Sequence, residues 1–472
     1  MNFSSVTFLF FLFPASVGGY ALTNLLFRRS ITAQNIFLCI MSLAFYGMAG
    51  RQALLVVLGL TLGNYLVGYI ARMTRRTFAY MGIALDVLVL AVFKYPQAIA
   101  AALGSAEPIT ALYPLGISFI IFHCISYLAD LFREDCRPTK SEAHELLLVA
   151  TYLLFFPKLA QGPIVRYADM RRSLEKRPFT LTQVCAGCER ILVGLAKKVL
   201  LADAAGKVAA QILDGSAASA TTAAAWLGIV LYTFEIYFDF SGYSDMAIGM
   251  GRIFGFKYPE NFRLPYTSRS ITEFWRRWHI SLGSFFRDYV YIPLGGKKKH
   301  QLLNMAVVWA LTGLWHGASW NFVLWGLYFF VILAAEKTIG EKRLRRIPTI
   351  LRRVGTMLLV ILGWNIFYFT DLTQLLQHFG LLFGLLGAGF SNAQTGIQLV
   401  NNLPLLLVCA IGATSVPQNL GNLFGGVCVQ GGKRSGQIVY ACVTFAFDAA
   451  LLALSTIALV GSTYNAFLYF RF

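Results

Sequence analysis

Charge is what this sequence has least of. Only 13% of its 472 residues are Asp, Glu, Lys or Arg, about half the share found in soluble globular proteins. With 57% hydrophobic residues, 15% aromatic ones and a mean hydropathy of +0.62, a soluble fold is excluded. There is no Walker loop, no GxGxxG opening a helix after a strand and no HExxH, so nucleotide-loop, dinucleotide and zincin chemistries lack their residues. Eight cysteines are scattered through apolar segments, and only Cys185 and Cys188 have suggestive spacing. A lone pair of that kind reads as packing, and no metal site is expected. Acids are also scarce, 22 against 40 basic residues. The resulting charge of +18 is spread over short clusters between apolar runs, such as Arg28-Arg29, Arg72 to Arg76, Lys297 to Lys299 and Lys342 to Arg346. That is the positive-inside pattern: the expected partner is membrane lipid, not nucleic acid.

What the chain has instead is apolar length. Hydrophobic runs recur from residue 6 to residue 462, which predicts an all-α polytopic integral membrane protein with about 11 to 13 membrane segments, re-entrant pieces included. No short apolar stretch with a small-residue cleavage site opens the chain, so the first run reads as a retained span. Arg28-Arg29 forms a tight basic turn, and Arg72 to Arg76 follows two spans later. The loop from Tyr95 to Ile109 has no Lys or Arg. This places the N-terminus outside and the basic loops in the cytoplasm. The run 146–165 carries Pro157 and Pro163 and is basic on its far side, as expected of a segment that dips in and returns. No repeat divides the chain. It reads as one membrane-embedded domain over 1–472, with N-terminal spans at 1–100, a motif-bearing core at 110–340 and C-terminal spans at 341–472.

One run stands apart. From Asn304 to Ala335 it would measure ~48 Å as a helix, against a hydrocarbon core of ~30 Å. Its polar and flexible residues, Thr312, Gly313, His316, Gly317, Ser319 and Asn321, gather at its centre, and both ends are basic. The expectation is a broken, re-entrant segment with His316 near its apex. An ionisable ring there is costly and suggests a functional site. Desolvation would keep it neutral and able to accept a proton. Trp315 and Asn321 would line the same cavity.

Two further stretches bear on it. Ser270 and Glu273 have the spacing of a capping box, which starts an amphipathic, interface-lying helix near 271–290 carrying Trp275, Trp278 and His279. His279 reads equally as a second site histidine or as an interfacial anchor. Asp239, Ser241, Tyr243 and Asp245 interrupt an apolar span. The two aspartates need partners, sought among the arginines of 269–277, and Asp239, Ser241 and Tyr243 are candidate cavity-lining residues. His123 reads as structural. His378 has no evident partner.

At this point the residues carry a resemblance. Asp239-Phe-Ser-Gly-Tyr-Ser-Asp245, the run from Pro265 to Leu282 and the run from Leu311 to Phe322 are similar to motifs of the membrane-bound O-acyltransferase (MBOAT) family. The likeness is greatest to its bacterial branch, typified by the alginate O-acetylation membrane protein. Pro114 to Phe119, Phe156 to Pro163 and Phe467 to Phe472 extend the likeness from about residue 110 to the end.

The resemblance implies a multi-pass protein of the bacterial cytoplasmic (inner) membrane with the MBOAT fold. His316 corresponds to the essential histidine of the family and His279 to its second one. An acyl donor, acetyl-CoA or an acyl carrier, would reach the site from the cytoplasm. No bound cofactor is implied. The acyl group would leave outward to a periplasmic or extracellular acetyltransferase partner and a polysaccharide acceptor, alginate-like or peptidoglycan. His316 would be the base; His279, Trp side chains or backbone N–H groups would supply donors. Two rival expectations are D-alanyl transfer to teichoic acid from a carrier protein, and a non-catalytic transporter or flippase. The interrupted segments have no counterparts in the first 100 residues, which weakens the transporter.

Overall fold

The computed structural model describes residues 3–102, 116–133, 136, 138–139, 141–158, 161–217, 219–429 and 434–461. The motif Phe467 to Phe472 lies outside them, as do Pro114, Leu115, Leu159 and Ala160. Every regular element among the described residues is helical. Among the described residues nine helices are long and apolar enough to cross a membrane, and one shorter apolar helix, Ile117–Asp130, accompanies them.

The chain falls into two units, residues 1–191 with 243–260, and residues 192–242 with 261–472. The first contains α1 (Phe8–Leu26), α2 (Ile31–Ala49), α3 (Arg51–Met73), α4 (Thr77–Lys94), α5 (Pro96–Ala102), α6 (Ile117–Asp130), α7 (Glu142–Leu154), α8 (Tyr167–Glu175) and most of α9 (Leu181–Ala196). Buried polar groups on these apolar helices find one another, as a low-dielectric surrounding demands. Tyr20 donates to Gln34 at 2.8 Å, Asn64 to Asp86 at 2.9 Å and Arg177 to Asn35 at 2.7 Å. His123 packs edge-on against Tyr152, ring centroids 5.6 Å apart. Beyond α7 the chain turns through Phe156–Lys158 and doubles back. The Tyr152 hydroxyl donates to the Val165 carbonyl at 2.8 Å, and Arg171 on α8 meets Glu145 on α7 at 3.0 Å. The two prolines do mark a return.

The second unit takes the end of α9, a π-helical stretch Lys197–Ala202, α10 (Asp203–Leu213) and the first two-thirds of α11 (Thr222–Ile253). It continues with α12 (Ile271–Trp275), α13 (Ile280–Phe286), α14 (Gln301–His316), α15 (Trp320–Ile339), α16 (Glu341–Leu344) and α17 (Thr349–Tyr368). Then come α18 (Leu372–Leu382), α19 (Ala393–Gly412), α20 (Val416–Val429) and α21 (Arg434–Gly461). Its core is strongly aromatic: Tyr232, Phe274, Trp278, Trp325, Phe329, Trp364 and Phe367 are all buried.

The 32-residue apolar run is broken, as its length requires. α14 and α15 form an antiparallel hairpin with its apex at Gly317–Ser319. Glycines allow the two backbones to touch. A Cβ on Gly313 would stand 2.5 Å from the Phe322 carbonyl oxygen, and one on Gly326 would stand 2.6 Å from that of Trp309. At the open end Lys337 Nζ lies 3.9 Å from Met305 Sδ, so the basic ends of both arms share one side.

The interfacial helix near 271–290 is corrected. Ser270 caps Glu273 N–H at 3.0 Å as expected, but α12 lasts only five residues and the chain breaks at His279, with φ of 45°. Trp278 and His279 are buried, so neither anchors the chain at a membrane interface. The helix fails because residues 277–280 pair instead with 261–263: Arg263 N–H donates to the Arg277 carbonyl at 2.9 Å, and Ile280 N–H to that of Asn261 at 3.0 Å.

The hairpin makes a direct prediction. In cysteine-accessibility labelling, Lys299→Cys and Lys342→Cys react from the same face of the membrane; labelling from opposite faces would remove the re-entrant geometry.

Candidate active site

α14 ends at His316 because Gly317 follows, a residue that disfavours a helix more than any other but proline. Gly317 is extended, and any Cβ there would collide with the Phe322 ring. The histidine therefore sits where the chain reverses. Four aromatic rings among the described residues pack against it, with centroids at 4.7 Å (Trp315), 5.1 Å (Trp325), 5.1 Å (Phe367) and 6.3 Å (Phe322). Trp325 Nε1–H is buried and has no acceptor among the described residues. Asn321 is fully buried and donates to the carbonyls of Ile366 and Phe367 at 3.2 and 3.1 Å. Those are end carbonyls of α17 that no helix turn satisfies. Asn321 thus ties the apex of the hairpin to the end of α17.

His279 joins this group through Trp315, whose ring is 6.2 Å from it; Phe240 closes the other side edge-on at 4.6 Å. Its left-handed backbone is held by Asn261, a residue the sequence reading did not single out. Asn261 Oδ1 accepts from Ser281 N–H at 3.2 Å and Ser281 Oγ–H at 2.9 Å, and stands 3.2 Å from His279 Nδ1. An amide oxygen only accepts, so Nδ1 carries the proton and Nε2 keeps its lone pair. Among the described residues no group hydrogen-bonds to Nε2. Burial pushes this imidazole down from 6.5 to about 3, which leaves it neutral across the physiological range.

The aspartates find partners other than the arginines of 269–277. Lys198, on the π-helical stretch, meets Asp239 and Asp203 at 2.6 Å each within the second unit. In the first unit Arg190 meets Asp245 and Glu260, also at 2.6 Å each. The arginines instead pair locally with Glu273, Arg269 at 3.1 Å and Arg277 at 2.5 Å. Buried pairs of this kind are held at a high cost of separation, and Asp239 reads structurally as half of one. Ser241 is buried and its hydroxyl has no hydrogen-bond partner. Tyr243 belongs to the first unit, where it stacks on Phe3 at 4.9 Å. Of the expected site residues the structure gathers His316, Trp315, Asn321 and His279. His378, which looked unpaired, stands with Nδ1 2.6 Å from Asn365 Oδ1. No cluster of metal-ligating side chains occurs among the described residues.

A buried, neutral His279 and a half-buried His316, both packed against Trp315 in a helical membrane protein, are a setting for proton transfer at a carbonyl. The chain belongs to the membrane-bound O-acyltransferase family, whose profile matches residues 84–377, and it is an acyltransferase. It is 35% identical to the probable alginate O-acetylase AlgI of Pseudomonas putida, an alignment that covers the whole of both chains. It is 28% identical to the peptidoglycan O-acetyltransferase of Helicobacter pylori, over 100% of this chain and 97% of the relative. Against the teichoic acid D-alanyltransferase of Bacillus subtilis it is 31% identical over 54% of this chain and 68% of the relative.

A pH dependence follows from His279. Its folded value lies below its ordinary one, so the unfolded chain takes the proton first as pH falls. The stability gained by keeping the ring neutral is complete above pH 6.5 and drains away between 6.5 and about 3, at up to about 1.4 kcal/mol per pH unit. His279→Asn keeps the left-handed backbone, which Asn tolerates, and removes the titration. Denaturation midpoints of the variant should fall less between pH 7 and pH 5 than those of the natural chain; equal slopes would refute the assignment.

Proposed function

We propose that the chain moves acetyl from a cytoplasmic thioester donor, acetyl-CoA, across the membrane for O-acetylation of an exported or cell-surface polysaccharide, with His316 as the general base. The observation that carries this reading is the position of His316 at the apex of a hairpin. Both of the hairpin's basic ends face one side, the cytoplasm by the distribution of Lys and Arg. That orientation puts the N-terminus outside and sets His316 across the hydrocarbon from the basic ends, so the donor's thioester has to reach it from the cytoplasm through the membrane. It accords with a bacterial inner membrane.

The chemistry is a thioester-to-oxygen transfer. His316 accepts the proton of the acceptor hydroxyl as its oxygen attacks the carbonyl carbon. The carbonyl π pair moves onto oxygen, and the tetrahedral oxyanion collapses with cleavage of the C–S bond. The thiolate leaves with the proton that His316 had taken. A developing oxyanion needs a donor in a dry setting, where it is worth most. Trp325 Nε1–H, buried beside His316 and without an acceptor among the described residues, fits that need. His279 does not, because its proton is committed to Asn261 and its free nitrogen is an acceptor. It suits the holding or polarising of the incoming hydroxyl instead. The first acceptor is a hydroxyl presented from the outer side, with a periplasmic or extracellular acetyltransferase completing delivery.

The full-length similarity to the alginate and peptidoglycan proteins supports acetyl and a glycan. D-alanyl transfer from a carrier protein is the second reading, supported by the partial similarity to the teichoic acid enzyme.

His316→Ala should reduce acetyl transfer from labelled acetyl-CoA by about 10²–10⁴-fold, with protein level and membrane insertion unchanged. Trp325→Phe should lower kcat by about 10²–10³-fold with little change in KM. Retained transfer in the first variant sinks the base assignment, and activity only with an alanyl-loaded carrier replaces acetyl by D-alanyl.

A further inference from the structure

A cavity of about 380 Å³ lies at the end of α17 in the second unit, a size within the usual range for small ligands. It is bordered by the end of α10, the start of α11 and α18. α17 is 20 residues long, ~30 Å as a helix, so the cavity is a bilayer thickness away from the basic cluster Lys342 to Arg346 that precedes α17. In the orientation proposed above this is the outer side.

His378 is set in its wall, 5% exposed. Its Nδ1 donates to Asn365 Oδ1 at 2.6 Å, because the amide oxygen can only accept. That leaves Nε2 as a buried lone pair with no hydrogen-bond partner among the described residues. Burial lowers this ring to about 4, so at neutral pH the nitrogen stays an acceptor. A buried acceptor of this kind calls for an O–H or N–H from a ligand or a water. Phe369, 4.8 Å from the imidazole, supplies an apolar wall. At the mouth stand Gln374 and Gln377, exposed amides that both donate and accept. Asp214 is beside them, its carboxylate held by the Tyr368 hydroxyl at 2.7 Å. Among the described residues neither Lys nor Arg lines the cavity. A polyanion would meet one carboxylate and no counter-charge there, whereas an uncharged polyol would meet amides, an imidazole acceptor and a ring face.

The cavity is mechanically joined to His316. Phe367 lies against the His316 ring, and Asn365, two residues earlier on the same helix end, holds His378. Asn321, from the hairpin, binds the two carbonyls of Ile366 and Phe367.

We propose that this cavity is an acceptor pocket for an uncharged sugar ring, one of whose hydroxyls donates to His378 Nε2 while the mouth glutamines engage its neighbours. The inference rests on the transferase reading for its role, and it narrows the acceptor to a neutral glycan unit in preference to a uronate. Asn365 is a positioning residue: it sets the tautomer of His378.

The test uses the full chain in lipid nanodiscs, with a tetramer of N-acetylglucosamine and a tetramer of mannuronate as probes, followed by saturation-transfer NMR and titration. The neutral tetramer should bind at least about tenfold more tightly than the charged one. Gln374→Ala with Gln377→Ala, both on the surface, should weaken it by about tenfold, the worth of a lost hydrogen bond or two. His378→Phe should weaken it at least as much, and His316→Ala should leave it intact. The proposal is overturned if neither tetramer binds, if the charged one binds as well as the neutral one, or if the glutamine and His378 variants bind unchanged. Acetyl transfer from acetyl-CoA is measured separately in the same preparation. Binding of the neutral tetramer without any transfer would leave the pocket standing and remove the transferase reading, and transfer without binding would do the reverse.

Discussion

The close approach of α14 and α15 sets the geometry of everything around His316. Two glycines, Gly313 and Gly326, bring one arm's backbone against the other's carbonyls, and any side chain there would push the arms apart. With the arms fixed, the apex has one place to be, and the rings of Trp315, Phe322, Trp325 and Phe367 fill the space around it. Close packing of this kind is the main attraction available to helices in lipid, where burial of apolar surface gains nothing against the tails. The hairpin is therefore held by fit, and the fit depends on hydrogen atoms where other residues have carbon.

Polar groups supply the remaining order, and several of them act at long range in the sequence. Asn321 reaches Ile366 and Phe367, Lys198 reaches Asp239, and Arg190 reaches Asp245 and Glu260. Each joins elements that hydrophobic packing alone would leave free to slide. Asn261 works at shorter range but does the most local work, since one oxygen both shapes the turn at His279 and decides which of its nitrogens is bare.

What the sequence made legible follows from local rules. The excess length of the run 304–335 against a bilayer implied a break, and the small polar residues at its centre located it. The prolines at 157 and 163 announced the other return, and Ser270 with Glu273 announced a helix start. What stayed hidden is what pairs across distance. Nothing in Phe238-Asp-Phe240 says that Lys198 answers Asp239, because a π-helical turn had to place the lysine there first. The break in the helix over 271–290 was hidden for a related reason: its aromatic spacing is helical, but backbone pairing with 261–263 overrides local preference at His279. His378 looked solitary because its partner, Asn365, sits on a different helix. The role proposed for His316 rests on motif likeness as much as on physics, since a break in an apolar run marks a site without naming its chemistry.

The shortness of α14 carries a consequence for how the protein is made. Sixteen residues give ~24 Å of helix, less than the ~30 Å of hydrocarbon, and the arm ends in a histidine followed by a backbone reversal. Such an arm is a poor independent passenger through the insertion machinery, since its last carbonyls would face lipid unpaired. It has to enter together with α15, with the two glycine contacts already formed, and to wait for α17 before Asn321 has carbonyls to bind. Biogenesis of this region is therefore an assembly event in which packing and insertion are one step, and a fault at Gly313 or Gly326 would surface as failed integration before it surfaced as lost catalysis.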